Sequence, residues 1–517
     1  MTSLTHIPLA IVGLGCRLPG ADSPSRFMNL SLEGMRALTR APEAWGTGLG
    51  LDRPLMGGFV PEESKDFKQF RLPPNQLEKM HRMERLLHLS LLQATQDAGY
   101  GPDKSPGGRC AIYLGATGLG VDMQVDQTLR LRTPELREHL FALLREQPDG
   151  ARLMEAVDKY VAEHAPPITA ESVPTTATTV AGRLSGMLDT RGGHLAVDAG
   201  TASSLAALKF ASLSLREGHC DVAVVGAVSP LLSPSTFGLL AARGWLAEQE
   251  LLALDERAAG TLPGEGAVAL VLCRLDDALA DGHRIYAVLH GVTSEMNPKQ
   301  GLSRMSRMVD RAARACLDLV GVDPEQVRHV ELQACGIPGL EDQEYLGLKT
   351  AYATARAEPL TFSTAAPQVG FQQAASGLVS VMRAALSLHG GMRAPVAGLT
   401  TARHGVHTTL ECLTRPMKLP PRSYVGVSSL GWTGVAYHAL LGAAPTREAQ
   451  PVVRPVRSAP QKFAIVGMGA IAPGAQDARA LWSNIITKAD TIGDLPPSRF
   501  NAHKMIGALM NPGEVIP

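Results

Sequence analysis

The chain has 517 residues, 45% of them hydrophobic and 19% charged, which is ample for a large core and for roughly two to four domains of ordinary size. Lys+Arg and Asp+Glu are equal at 49 each, so the formal charge is zero and the electrostatic footprint of a nucleic-acid-binding protein is missing.

The first run, Leu9-Ala10-Ile11-Val12-Gly13-Leu14-Gly15, reads as a buried strand ending in glycines, and no basic-then-apolar signal peptide precedes it. Residues 83–98 carry apolar side chains near helical spacing and stop at Gly99, which predicts a helix. Residues 110–114 predict a strand, and the charged stretch 133–164 predicts a helical insertion or cap. The β-prone run 194–197 leads through Asp198-Ala199-Gly200-Thr201-Ala202-Ser203-Ser204 into a helix-like run, 205–217, closed by Gly218. Residues 222–242 carry no charge, but Pro230, Pro234 and a Ser/Thr cluster break a lipid-exposed helix, so a strand (222–228) and then a loop are expected rather than a membrane span. Strands at 267–272, 285–289 and 424–427 and helices at 308–320 and 376–388 complete the pattern. Wholly apolar strands alternating with helices predict an α/β fold whose sheets are covered on both faces.

The opening text returns late in the chain as Phe463-Ala464-Ile465-Val466-Gly467-Met468-Gly469, at an offset of 454, and Pro42 matches Pro496 at the same offset. So long a period means a duplicated domain. Residues 1–443 are expected to form one complete domain. Residues 444–461, rich in Pro, Ala, Val and Arg, read as an extended linker, and 462–517 as the truncated start of a second domain, too short to bury its own core. Gly467, Gly469 and Ala472, with Asp490 downstream, imitate a dinucleotide fingerprint. The first copy departs from it, and Pro19 and Pro473 stand where the binding helix has to run, so no nucleotide is expected. The seven cysteines show no CxxC or other metal-ligand spacing. They read as reduced thiols of a cytoplasmic protein without a metal site.

The turn at Thr201 is the chemical focus. A strand that turns sharply into a helix through small residues is a way to display a nucleophile. The free N–H groups and positive dipole end of such a helix favour a thiolate or an oxyanion. Four further segments carry a family resemblance. Residues 255–266 (DERAAGTLPGEG) resemble F-D-x-R-A-D-G-F-V-x-G-E-G; 330–338 (VELQACGIP) resemble V-E-A-H-G-T-G-T-P; 370–377 (GFQQAASG) resemble G-H-L-E-A-A-A-G; and 426–434 (GVSSLGWTG) resemble G-V-S-S-F-G-F-G-G. With the opening strand and the Thr201 turn they resemble the β-ketoacyl synthases of polyketide and polyunsaturated fatty acid synthases, over nearly all of residues 7–441.

That resemblance implies a thiolase-like fold of two βαβ-rich halves in five αβαβα layers, commonly dimeric. The family reaction is a decarboxylative condensation in which a Cys takes an acyl group from an acyl carrier protein while two His residues assist. No cofactor is implied beyond the phosphopantetheine of the carrier. Here Thr201 stands in the Cys position, Gln333 and Phe371 in the two His positions, and Ala366 in that of the Lys in V-K-S-N-I-G-H. A Thr hydroxyl needs an adjacent base, and these positions offer an amide and a phenyl ring. The backbone N–H groups of Thr201 and Leu430, with the Gln333 amide, remain as an oxyanion or acyl-binding set. His438 matches a structural His of the family. His194 is expected to be a satisfied structural residue, His404 and His407 are left without a role, and Cys335 is expected to be a small buried residue. The expected function is therefore a non-condensing partner or carrier-protein dock for an active ketosynthase, like a chain-length factor. The alternatives are an acyltransferase or decarboxylase acting on carrier-bound thioesters through Thr201, and a purely structural dimer platform. Nucleic acid is not expected among the partners, and no membrane span is expected.

Overall fold

The structure, a computed structural model, describes residues 7–48, 53–62, 77, 80–101, 104–117, 136–164, 177–296, 304–354, 356–404, 410–445 and 462–493. The chain divides into two compact units, one made of 1–123 and 174–456 and the other of 124–173 and 457–517.

The first unit is built on a sheet of eleven strands among the described residues. Its elements in chain order begin with β1 (Leu9–Arg17), α1 (Pro24–Leu32), α2 (Arg82–Asp97) and β2 (Cys110–Ala116). In the other unit lies α3 (Gly150–His164). There follow α4 (Ala177–Leu188), β3 (His194–Val197), α5 (Ser203–Arg216), β4 (Val222–Ser229), α6 (Pro234–Ala242), β5 (Gly266–Arg274) and β6 (Ala287–Met296). The second half supplies α7 (Met305–Val320), β7 (Val327–Glu331), α8 (Pro338–Ala351), β8 (Leu360–Ser363), α9 (Ser376–Gly390), β9 (Leu410–Cys412), β10 (Tyr424–Gly431) and β11 (Val435–Gly442). The strand order is β9-β8-β7-β10-β11-β6-β1-β5-β4-β2-β3. The two halves join where β1 meets β6 over only Leu9–Ile11.

Three apolar clusters explain the layering. α5 and α9 share the central cluster with one face of both half-sheets (Leu208, Val225, Met382 and Val427 among its members). α2 and α4 cover the outer face of the first half, and α7 and α8 that of the second. The result is the αβαβα sandwich that the family resemblance implies, with the sheet covered on both faces as the alternation of strands and helices predicts. Strands buried on both faces read as continuous apolar runs because neither face meets water.

β1 shows how tightly the layers approach. It runs antiparallel between β5 and β6. α2 crosses it at its glycines: a Cβ on Gly13 would stand 2.2 Å from the Ala94 carbonyl oxygen, and one on Gly15 2.2 Å from that of Ser90. Only glycine lets the helix lie on the strand here. Helix ends follow the glycine signals, with Gly321 and Gly391 in the left-handed region after α7 and α9. One expectation is corrected: after β4 the chain does not stay in a loop. Ser233 accepts from Thr236 N, Pro234 takes the first helical position, and α6 forms over nine residues.

In the second unit, α3 confirms the helical reading of the charged stretch over its described residues, and Arg137 and Asp158 form an ion pair there. Residues 462–471 form no strand, unlike their counterpart β1. A strand needs neighbours to take its N–H and C=O groups, and no strand pairs with this run among the described residues. Its helix does form, as α10 (Ala478–Thr487).

Candidate functional site

The Thr201 turn sits between the end of β3 and the start of α5. Gly200, at φ 61, makes the reversal. The Ser203 hydroxyl bonds the Gly200 carbonyl at 2.6 Å and accepts from Ala199 N at 2.9 Å, and Asp198 accepts from Gly200 N at 2.9 Å. Thr117 at the end of β2 adds a bond to the Gly200 carbonyl at 2.7 Å. These small polar side chains close the loop on itself and place Thr201, 4% exposed, beside the N-terminus of α5. From the opposite half, Gly431 meets the turn: a Cβ there would stand 2.8 Å from the Ala199 carbonyl.

Two of the replaced positions converge on one carbonyl. The Thr201 hydroxyl donates to Leu430 O, and Gln333 Nε2 donates to the same oxygen at 3.0 Å. Gln333 Oε1 accepts from Leu430 N at 2.9 Å and from the Ser429 hydroxyl at 2.8 Å. β7 pairs with β10 only as far as Glu331–Val427, and beyond that the Gln333 side chain continues the ladder where the backbone has turned away. The Leu430 N–H, expected as an oxyanion donor, is thus already bonded within the chain.

The segment that carries Gln333 is held from below by two buried carboxyl groups on α8. Glu344 accepts from Gln333 N and Ala334 N, both at 3.0 Å. Glu341 accepts from Leu254 N at 3.0 Å and from Gly336 N. Burial pushes both up to about 7, against the pull of these donors and, at Glu341, of the Arg403 charge. Cys335 in the same turn is buried and its thiol is pushed up by desolvation, so it is no displaced nucleophile.

The other two positions are apolar. Phe371 is buried, and its backbone bonds Leu262 O at 2.9 Å and Gly264 N at 3.0 Å. Its ring stacks on Trp432 with centroids 5.8 Å apart, and Trp432 meets Trp245 edge-on at 4.9 Å. An aromatic wall therefore stands on the His side of the site. Ala366, also buried, opens a one-turn helix and with Gln333 and Ser376 lines a cavity of about 10 Å³, room for a single water.

The remaining motif residues brace the scaffold. Asp255 accepts from Arg257 at 2.8 Å and from Thr400 N at 2.9 Å, and these donors hold its carboxyl well below the usual range even though burial opposes them. Glu265 ties together Val60 N, Leu232 N and Arg82. Glu331 lies fully buried between His329 (3.0 Å) and Arg383 (3.4 Å). His438 bonds the Tyr352 hydroxyl at 2.7 Å, and burial lowers it to about 3, as befits a structural residue. His404 stacks on Tyr345 at 3.9 Å and faces Asp342 at 3.2 Å. His194, expected to be a satisfied structural residue, lies exposed on the edge strand β3. His407 lies outside the described residues. Sequence reading missed Glu341, Glu344 and Trp432 as site-shaping residues. The signal for the carboxyl pair was their i, i+3 spacing just after Pro338, which puts both on one face of α8.

The family model described as the N-terminal domain of β-ketoacyl synthase matches residues 7–278 and 461–510, and the C-terminal domain model matches 286–400. The chain belongs to the β-ketoacyl synthase family. Among curated relatives of this ketosynthase-type chain, the highly reducing polyketide synthase sdnO of Sordaria araneosa is 26% identical, covering 95% of this chain and 16% of the relative. The pikromycin polyketide synthase component PikAIII of Streptomyces venezuelae is 28% identical over 87% of this chain and 28% of its own length. The chain thus spans less than a third of these relatives. The ketosynthase from module 6 of the bacillaene synthase from Bacillus subtilis 168 superposes with a TM-score of 0.70 at 23% identity, covering 86% of this chain and 72% of that one, and shares the thiolase-like fold. No helix among the described residues is long and apolar enough to cross a membrane.

Proposed function

We propose that residues 1–443 are a non-condensing ketosynthase-type domain that docks an acyl carrier protein and pairs with an active ketosynthase, in the manner of a chain-length factor. The observation that carries this reading is the partner of the Thr201 hydroxyl. Its proton is directed at a peptide carbonyl, which cannot act as a base, and the positions matching the family's two His and its Lys hold an amide, a phenyl ring and a methyl. A thioester carbonyl seeking the Leu430 N–H has to displace the Gln333 amide first. The domain needs no cofactor of its own, phosphopantetheine arriving on the carrier. Residues 462–517 start a second domain of the same kind, a reading supported by the family match at 461–510.

The test is incubation of the full chain with malonyl- and acyl-carrier protein, read by intact-protein mass spectrometry and CO₂ release. Neither an adduct at Thr201 nor decarboxylation is expected, while cross-linking captures carrier protein and an active ketosynthase. Acylation of Thr201 would favour the acyltransferase or decarboxylase reading instead.

The dimer-platform reading has its own support. Among the described residues β3 is an edge strand of the sheet, and Leu195 on it, with Phe210 and Leu213 on the adjoining α5, is 40% to 46% exposed. An exposed apolar edge invites pairing with another chain.

A further inference from the structure

The outward side of α7 is a row of cations. Arg304, Arg307, Arg311 and Arg314 are all exposed. At about 100° per residue they fall within about 80° of one another around the helix, and they run about 15 Å along it. The other side of α7 is apolar, with Met305, Val309, Ala312 and Cys316 buried in the cluster of the second half. Of the four cations only Arg314 has an acidic partner among the described residues, Asp310 at 2.7 Å on the same helix.

The helix gains nothing from this row. Arg307 and Arg311 are like charges one turn apart, a spacing that weakens a helix. Arg304 and Arg307 stand at the positive end of the helix dipole, where carboxylates are favoured and the first turn has none. Residues 297–303, which precede the helix in sequence, add Lys299 and no acid. The chain as a whole is neutral, so the stripe is a local field and not the outcome of a basic composition. Guanidinium groups at helical spacing are matched by carboxylates at helical spacing.

The surface beside the stripe narrows the partner. α8 runs parallel to α7: Gln343 accepts from Ser306 N at 3.1 Å near the start of both, and Arg314 donates to the Thr350 carbonyl further along. Gln343 also lines, with Trp245 and Pro338, a surface pocket of about 610 Å³. The pocket therefore lies beside the first turn of the stripe, and its Trp245 meets Trp432 of the aromatic wall. Leu346, 49% exposed on α8, offers an apolar contact nearby. A partner that presents both an acidic helix and a slender flexible arm fits the stripe and the pocket together.

We propose that α7 is the docking surface for an acidic helix of an acyl carrier protein, with the carrier's arm directed to the pocket at the start of α8. The assignment rests on the carrier-dock reading of the first domain and adds where the carrier sits and which charges hold it. Exposed charges of this kind govern the encounter rate and its salt dependence.

The test titrates the full chain with a fluorescently labelled, acidic holo-acyl carrier protein at low and at physiological ionic strength. Arg307→Glu/Arg311→Glu should weaken binding about tenfold at low salt and flatten its salt dependence, whereas Arg191→Glu, which reverses an exposed cation of the first half, should change neither. A carrier whose helix carboxylates are replaced by lysine should bind the double variant better than the unmodified chain, a gain that misfolding cannot produce. Holo-carrier should bind more tightly than apo-carrier. Gly339→Trp, at a pocket position where a Cβ meets nothing within 4 Å, should remove that difference. Equal carrier affinity in the double variant and the unmodified chain overturns the stripe as the dock and leaves the carrier reading standing. Failure of the unmodified chain to bind the carrier overturns both. Loss of binding to a DNA duplex or to anionic vesicles in the double variant, with carrier affinity unchanged, gives the stripe to another anion and overturns the proposal.

Discussion

The side-chain amide of Gln333 pairs with both backbone groups of Leu430, giving a hydrogen bond to its carbonyl and taking one from its N–H. One amide thereby satisfies the end of β10, and through the shared carbonyl it touches the hydrogen bond of Thr201. Gln333→Leu keeps the volume and removes both bonds, leaving the Leu430 N–H and the Ser429 hydroxyl unpaired in a buried site. A loss of about 1–3 kcal/mol in urea unfolding is expected.

Thr201→Cys restores the family nucleophile without its helpers. Loss of general acid–base assistance and of an oxyanion donor each cost about a hundredfold or more in rate, and Gln333 and Phe371 supply neither. No chain elongation is expected when the variant is supplied with acyl- and malonyl-carrier protein and the products are read by mass spectrometry. Measurable condensation by this single variant would sink the reading of the site as chemically empty.

The Glu341–Glu344 pair makes a signed prediction about pH. Each carboxyl titrates near 4.5 in the unfolded chain and is pushed to about 7 when folded. Between those values the folded protein holds protons that the unfolded chain has lost. The contribution to stability is therefore complete below pH 4.5 and falls as the pH rises through 7. Glu344→Gln cannot titrate and loses one good acceptor, so it should be the weaker protein near pH 5 and close the gap near pH 8 in paired urea titrations. His438 works the other way, its neutral form being favoured by burial so that stability drops as the pH falls below 6.5, and comparing the two proteins cancels it.

Leu195→Glu puts a charge on β3, an edge strand of the sheet among the described residues. The side chain is exposed, so the fold should survive. If β3 is a dimer edge, light scattering should report a mass falling from two chains to one.

Much of the architecture was legible because burial on both faces writes continuous apolar runs: β1, β2, β4 and β5 all stand where such runs were read. α6 was missed because Ser233 and Pro234 serve equally well as a loop signal and as a helix start. The late copy of β1 repeats its text but forms no strand, since a strand is a property of its neighbours as much as of its residues. At the site, the four replacements were visible in the sequence. The Gln333–Leu430 pairing was not, because it joins positions almost a hundred residues apart through a side chain acting as backbone.

Six of the seven cysteines are buried and Cys412 is half-buried, which makes the domain separable by labelling. Burial pushes the described shifted thiols well above the thiol range, Cys412 among them at about 12, and Thr201 occupies the place where a reactive thiolate would stand. A chloroacetyl-pantetheine probe that alkylates working ketosynthases should leave this chain at its unmodified mass in the same mixture. The molecule that reports every competent active site would pass this one by, and its silence would count the non-condensing domains.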